Sequence, residues 1–171
     1  MGKNGDKKAQ INISFGMIFS IILIIVFIVF AFYAIGKFLD IQKSAKTGQF
    51  IKSLKSDVSQ MWRSSSGSQA VEYSITSSID YVCFADFSGS AGKKGAKQDF
   101  YDSLKMVYFE NENLFFYPVG SAGGLDAAKI ENINLQDMTK KENPYCAENL
   151  NGKVNLTIKK GFDEVLVTIT R

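Results

Sequence analysis

The chain has 171 residues, a mass of 19.0 kDa and a formal charge of +3, the length of one folded domain with room for an appendage. It has no histidine and only two cysteines. This excludes Ser-His-Asp and Cys-His nucleophilic sites, His-ligated zinc or haem, and a four-thiolate zinc or iron–sulfur site within one chain.

The small net charge is no signature of nucleic-acid binding, and the mean hydropathy of −0.02 averages two unlike parts. Residues 1–9 carry Lys3, Lys7 and Lys8 and read as a basic leader or cytoplasmic tail. No charged residue then occurs from Ala9 to Gly36. The most apolar stretch, Phe15 to Ile35, has 21 residues. As a helix it is roughly 31 Å long, against a bilayer core of about 30 Å. A buried core helix would be shorter and polar on one face. A secretory signal has an apolar core of about 7–15 residues followed by a small-residue cleavage site. Residues 10–36 therefore read as a transmembrane helix that stays. Orientation is left open by the flanks, since Lys37, Lys43, Lys46 and Lys52 follow the run as lysines precede it.

Residues 37–66 become amphipathic. Phe38, Ile41, Ala45, Gly48, Ile51, Leu54 or Lys55, Val58 and Met61 or Trp62 recur at three- and four-residue intervals, the period of a helix with one apolar stripe. No proline interrupts before Pro118, so one helix from about Phe15 to Arg63 is expected, with two helices broken at Gly36 as the alternative. The Ser64–Ser68 run ends it, Gly67 serving as a left-handed stop. Lys37 to Arg63 holds six basic and two acidic residues, a net of +4, and Ser64 to Arg171 holds eleven and fourteen, a net of −3. The basic segment can lie near anionic headgroups, be a solvated face, or meet an acidic patch of another subunit.

Residues 67–171 change to strand periodicity. Val71, Tyr73 and Ile75 alternate, and Ile79–Phe84 is a second strand. Leu104–Phe109 and Leu114–Tyr117 flank the polar turn Glu110–Asn113 and read as a hairpin, as do Val154–Ile158 and Val165–Ile169 around Gly161. Ile133 and Leu135 alternate weakly. Ser88–Lys97 and Gly120–Gly124 are Gly/Ser-rich loops. The expected fold class is α+β: a long N-terminal helix packed on an antiparallel sheet of five to seven strands.

Cys83 and Cys146 both lie in this domain and would close a loop of 64 residues, counting both ends. In the chain-entropy account that closure stabilises by roughly 4 kcal/mol. The alternative is one buried core cysteine and one free thiol. Asn155-Leu156-Thr157 is an N-glycosylation acceptor triplet. Both features favour an extracytoplasmic domain with the N-terminus in the cytoplasm. No catalytic constellation is found. Gly89–Lys94 lacks the spacing and Ser/Thr of a Walker loop, no G-x-S-x-G occurs, and the pairs Asp99/Asp102 and Glu110/Glu112 read as solvated turn carboxylates. The aromatic set Tyr108, Phe109, Phe115, Phe116 and Tyr117 is expected mainly in the core, with an exposed platform as the alternative. No catalytic residue, metal or cofactor is expected.

In Lys7-Lys8-Ala9-Gln10 a basic stretch and a small residue stand directly before the apolar run. With the half-apolar, half-amphipathic helix and the β-rich domain behind it, this resembles archaeal type IV pilin-like precursors. The resemblance implies leader cleavage between Ala9 and Gln10, a pilin-like fold, anchoring by the apolar helix and its later packing inside a filament. Many members carry glutamate as the fifth residue of the mature chain; here that position is Ser14. The expected protein is a non-enzymatic, single-pass structural or adhesive subunit of the cell surface. The alternative is a permanently anchored extracytoplasmic domain that does not polymerise. Expected partners are the lipid bilayer, other copies through the apolar helix, and a surface protein or glycan, but not nucleic acid.

Overall fold

The computed structural model describes residues 15–91 and 96–171. The chain divides into two units, Met1–Leu39 and Asp40–Arg171. Helix α1 (Phe15–Arg63) contributes to both. In the first unit every described residue is helical and exposed.

The second unit takes its core from the other part of α1. Thr47, Phe50, Leu54, Val58 and Met61 are the buried residues, at spacings of three, four, four and three, one stripe of a helix. Val58 is expected there, and of the open choices the structure buries Leu54 rather than Lys55 and Met61 rather than Trp62. Phe38 and Ile41 are expected there too, but both are exposed. The buried seam starts only at Thr47 and runs through Phe50, so the actual stripe is rotated from the one drawn through Ala45 and Gly48. The helix ends where Ser64 returns both its backbone N–H (3.1 Å) and its hydroxyl (2.6 Å) to the Met61 carbonyl. Gly67 is not a left-handed stop. It opens the first strand, at right-handed or extended φ.

Among the described residues seven strands form two antiparallel sheets rather than one. The strands are β1 (Gly67–Ser74), β2 (Tyr81–Phe84), β3 (Leu114–Tyr117), β4 (Ala127–Ala128), β5 (Tyr145–Glu148), β6 (Lys153–Lys160) and β7 (Thr168–Thr170). The three-stranded sheet has the order β1-β6-β7 and the four-stranded one β4-β3-β2-β5. Strand β6 alternates cleanly: Val154, Leu156 and Ile158 point into the core and Lys153, Asn155 and Lys159 face water. Phe50 of α1 holds the two sheets together. Its ring meets Tyr73 of β1 edge-on at 5.3 Å and Phe116 of β3 edge-on at 5.8 Å.

The four-stranded sheet is buried on both faces. Val82, Phe84, Leu114 and Phe116 join the core that holds Phe50 and Leu54. Cys83, Phe115 and Cys146 enter a second core with Leu104 of α2 (Ala96–Lys105) and the partly buried Phe87, Phe100 and Tyr117. The run Leu114-Phe115-Phe116-Tyr117 is apolar at consecutive positions for this reason.

Two expected hairpins change form. Leu104–Phe109 is not a strand: Leu104 closes α2, and Met106 and Phe109 stand 82% and 92% exposed in the turns that follow. Phe100 and Leu104, four residues apart, give that segment a helical apolar face, which outweighs the short alternation after it. At the C-terminal end, β6 extends to Lys160 and β7 holds only three residues. Val165 does not continue the alternation and is exposed. Residues 161–166 instead form a turn in which the Glu164 carboxylate accepts the Gly161 N–H at 2.7 Å. Ile133 pairs with Val167 as a parallel bridge, while Leu135 opens the short helix α3 (Leu135–Thr139), whose N-cap Asn134 accepts the Asp137 N–H.

Candidate membrane anchor and exposed contact surfaces

Two properties define residues 15–39. They form continuous helix, so their backbone groups are satisfied within the segment, and their apolar side chains are unburied. The most apolar 18-residue window has a hydropathy of 3.1 with none of it buried. This helix is long and apolar enough to cross a membrane. The Ser20 hydroxyl is satisfied locally, donating to the Gly16 carbonyl at 2.8 Å. At the far end of the apolar run the Lys37 ammonium lies 5.9 Å from the centroid of the Tyr33 ring. An aromatic and a lysine at that position match the composition of helix ends at a lipid–water boundary.

In the folded unit, Cys83 and Cys146 are joined by a disulfide. They are direct register partners on β2 and β5, with a Cα–Cα distance of 4.0 Å, and both are buried in the second core. Asn155 sits in the middle of β6 opposite Glu72, with its side chain exposed. Thr157 lies two residues on and therefore on the same outward face. Ala9 and Gln10 lie outside the described residues.

The aromatic set divides. Phe115 and Phe116 are fully buried on opposite faces of β3, and Tyr117 stacks on Phe100 at 4.1 Å. Tyr108 is partly exposed and rests on Phe87 at 4.9 Å, and Phe109 is free of the core. One carboxylate of each pair serves local structure. Asp102 accepts from the Gln98 amide. Glu112 accepts the N–H groups of Phe109 (3.1 Å) and Glu110 (2.7 Å). Slight burial works to raise the Glu112 pKa, but the backbone hydrogen bonds of Glu110, Glu112 and Phe109 outweigh it and hold the pKa below its usual value.

Among the described residues no group of three His, Cys, Asp or Glu side chains could hold a metal ion. A groove of about 660 Å³ is lined by Lys140, Lys141, Lys159 and Arg171 together with Glu142 and Tyr145. It presents cations, and Arg171 is itself held by Glu142 at 2.9 Å, by the Cys146 carbonyl and by the Tyr145 ring. A second exposed apolar feature was not expected from the sequence. Phe162 stands 81% exposed beside Val165 in the β6–β7 turn. An aromatic inside the Gly-Phe-Asp-Glu turn that separates two alternating runs was the available signal. Comparison with protein-family models, with curated proteins and with solved structures finds no match to this chain.

Proposed function

We propose that this chain is a single-pass membrane protein of the cell surface. In this reading residues 15–36 cross the bilayer with the N-terminus in the cytoplasm. The domain after them stands outside and acts by contact rather than by catalysis, as a pilin-like structural or adhesive subunit. The observation that carries the reading is the uninterrupted, unburied apolar helix placed ahead of a folded α+β unit. The buried disulfide supports an oxidising exterior for that unit. The basic-small-Gln junction at Lys7–Gln10 supports processing of the leader. A second reading, a permanently anchored domain that does not polymerise, is favoured by Ser14 in place of the acid many pilins carry there.

Membrane fractionation with an intact-mass measurement tests both. A membrane-bound chain that begins at Gln10 supports a processed pilin-like subunit, and one that retains residues 1–9 supports the permanent anchor. Recovery in the soluble fraction, or complete protection of the folded unit when intact cells are treated with protease, overturns the surface assignment.

A further inference from the structure

Strand β1 has an open edge. Among the described residues it pairs on one side only, with β6, and the sheet ends there. The Ile75 N–H donates to the Gly152 carbonyl at 2.9 Å, in the same register that sets Tyr73 opposite Val154. In an antiparallel ladder the residues that bond one neighbour recur at every second position. The odd-numbered residues of β1 therefore serve β6, and Ser68, Ala70, Glu72 and Ser74 aim their N–H and C=O groups outward. All four residues are exposed, and none of these backbone groups has a partner among the described residues.

Exposed edges are normally blunted by proline, lysine, bulges or short length. Here the strand has eight residues and neither proline nor lysine. Its one charge, Glu72, is already neutralised by Lys153 at 2.7 Å.

We infer that β1 is a pairing edge for a second copy of this chain, joined antiparallel about Val71. That register is self-complementary. Ala70 bonds Glu72 of the other copy and Ser68 bonds Ser74, each pair occurring twice, so all four free positions of both strands are satisfied. It places no two acids directly opposite, and like charges opposite each other are what destabilises such a pair. Val71, the half-buried apolar side chain of the strand, meets its own counterpart at the twofold axis in the closely spaced, non-hydrogen-bonded position. The product is one six-stranded sheet in the order β7-β6-β1-β1-β6-β7. This association uses a surface separate from the apolar helix.

Site-specific cross-linking of the full chain in detergent micelles tests this. With a mild oxidant, Val71→Cys is expected to form a covalent dimer roughly tenfold faster than Ser68→Cys, because only position 71 meets itself within disulfide reach. Adding Ala70→Pro removes an outward N–H while leaving the β6 ladder intact, and is expected to return the Val71→Cys rate to that of Ser68→Cys with the melting temperature retained. If that variant does not fold, mixed Ser68→Cys and Ser74→Cys chains decide the register by linking to each other faster than either links to itself. A Val71→Cys rate no greater than that of Ser68→Cys overturns the proposal, including the case in which the edge takes up an extended segment of another protein.

Discussion

Tyr73 shows how single side chains fasten helix to sheet. Its ring packs on Phe50 in the core while its hydroxyl donates to the Asp57 carboxylate at 2.6 Å. Burial first, then the hydrogen bond and charge of Asp57, push the phenol pKa well above its usual value. Tyr73→Phe is expected to lower stability by about 1–2 kcal/mol in a denaturant titration, since the acceptor is charged and half-buried. The pH sign follows from the raised pKa: the folded state holds the proton more tightly, so this contribution is complete below about pH 10 and falls as pH rises above it. Comparing wild type with Tyr73→Phe from pH 8 to 11 should show the difference shrink at the alkaline end. A second residue-scale contrast lies in the Gly120–Gly124 loop. Gly123 has φ +66°, and a Cβ there would sit 2.6 Å from the Ser44 hydroxyl and 2.7 Å from the Ser44 nitrogen. Gly124 has φ +89° with nothing within 4 Å. Gly124→Ala meets only backbone strain, of order 1 kcal/mol, whereas Gly123→Ala adds a clash and is expected to cost clearly more. Equal denaturant midpoints for the two variants would contradict the close approach of this loop to α1.

At the scale of elements, α1 carries two different surfaces along one sequence. Phe50 touches both sheets, so Phe50→Ala is expected to cost about 3–5 kcal/mol, while Ile41→Ala, at an exposed position, should leave the melting temperature unchanged. Much of this element was legible. Periodicity gave the helix and its end at Arg63, and turn chemistry together with alternation gave β6 and the core face of β1. The misreadings share a cause. Leu104–Phe109 and Val165 show short alternations that would fit a strand, yet packing against the second core places Leu104 on a helix, and the Gly161–Glu164 turn leaves Val165 outside the ladder. The rotation of the α1 stripe to Thr47 and Phe50 could not be read either, since the position of a seam depends on where the sheets present their apolar faces. The division into two sheets was hidden for a related reason: β3 is apolar on both faces, which periodicity cannot distinguish from a single-faced strand with an aromatic excess.

For the whole molecule, the sharpest prediction concerns residues 15–36. The triple substitution of Ile22, Val26 and Phe30 by lysine, across the middle of the apolar run, carries a penalty of about 2.5–3.5 kcal/mol per charge, which outweighs the gain of about 0.3–0.6 kcal/mol from each apolar residue that remains. In a fractionation assay it is expected to shift the chain out of the membrane, and unchanged membrane recovery would argue against a spanning role. The long apolar helix was the most legible feature of the sequence, because length and lack of charge are local properties. The contact surfaces were the least legible. Neither the open edge of β1 nor the exposed Phe109 has a local signature, since each depends on what the rest of the fold leaves uncovered.

The cross-strand bond between Cys83 and Cys146 has a consequence for the chain's persistence. The two residues are 63 positions apart, and the span between them contains α2, β3, β4 and α3. A single peptide bond broken anywhere in that span leaves both fragments covalently joined, so the C-terminal strands stay attached to the N-terminal helix. Such a nick is invisible by size until a reductant is added. A domain of this construction can be cut once by a protease and still shed nothing.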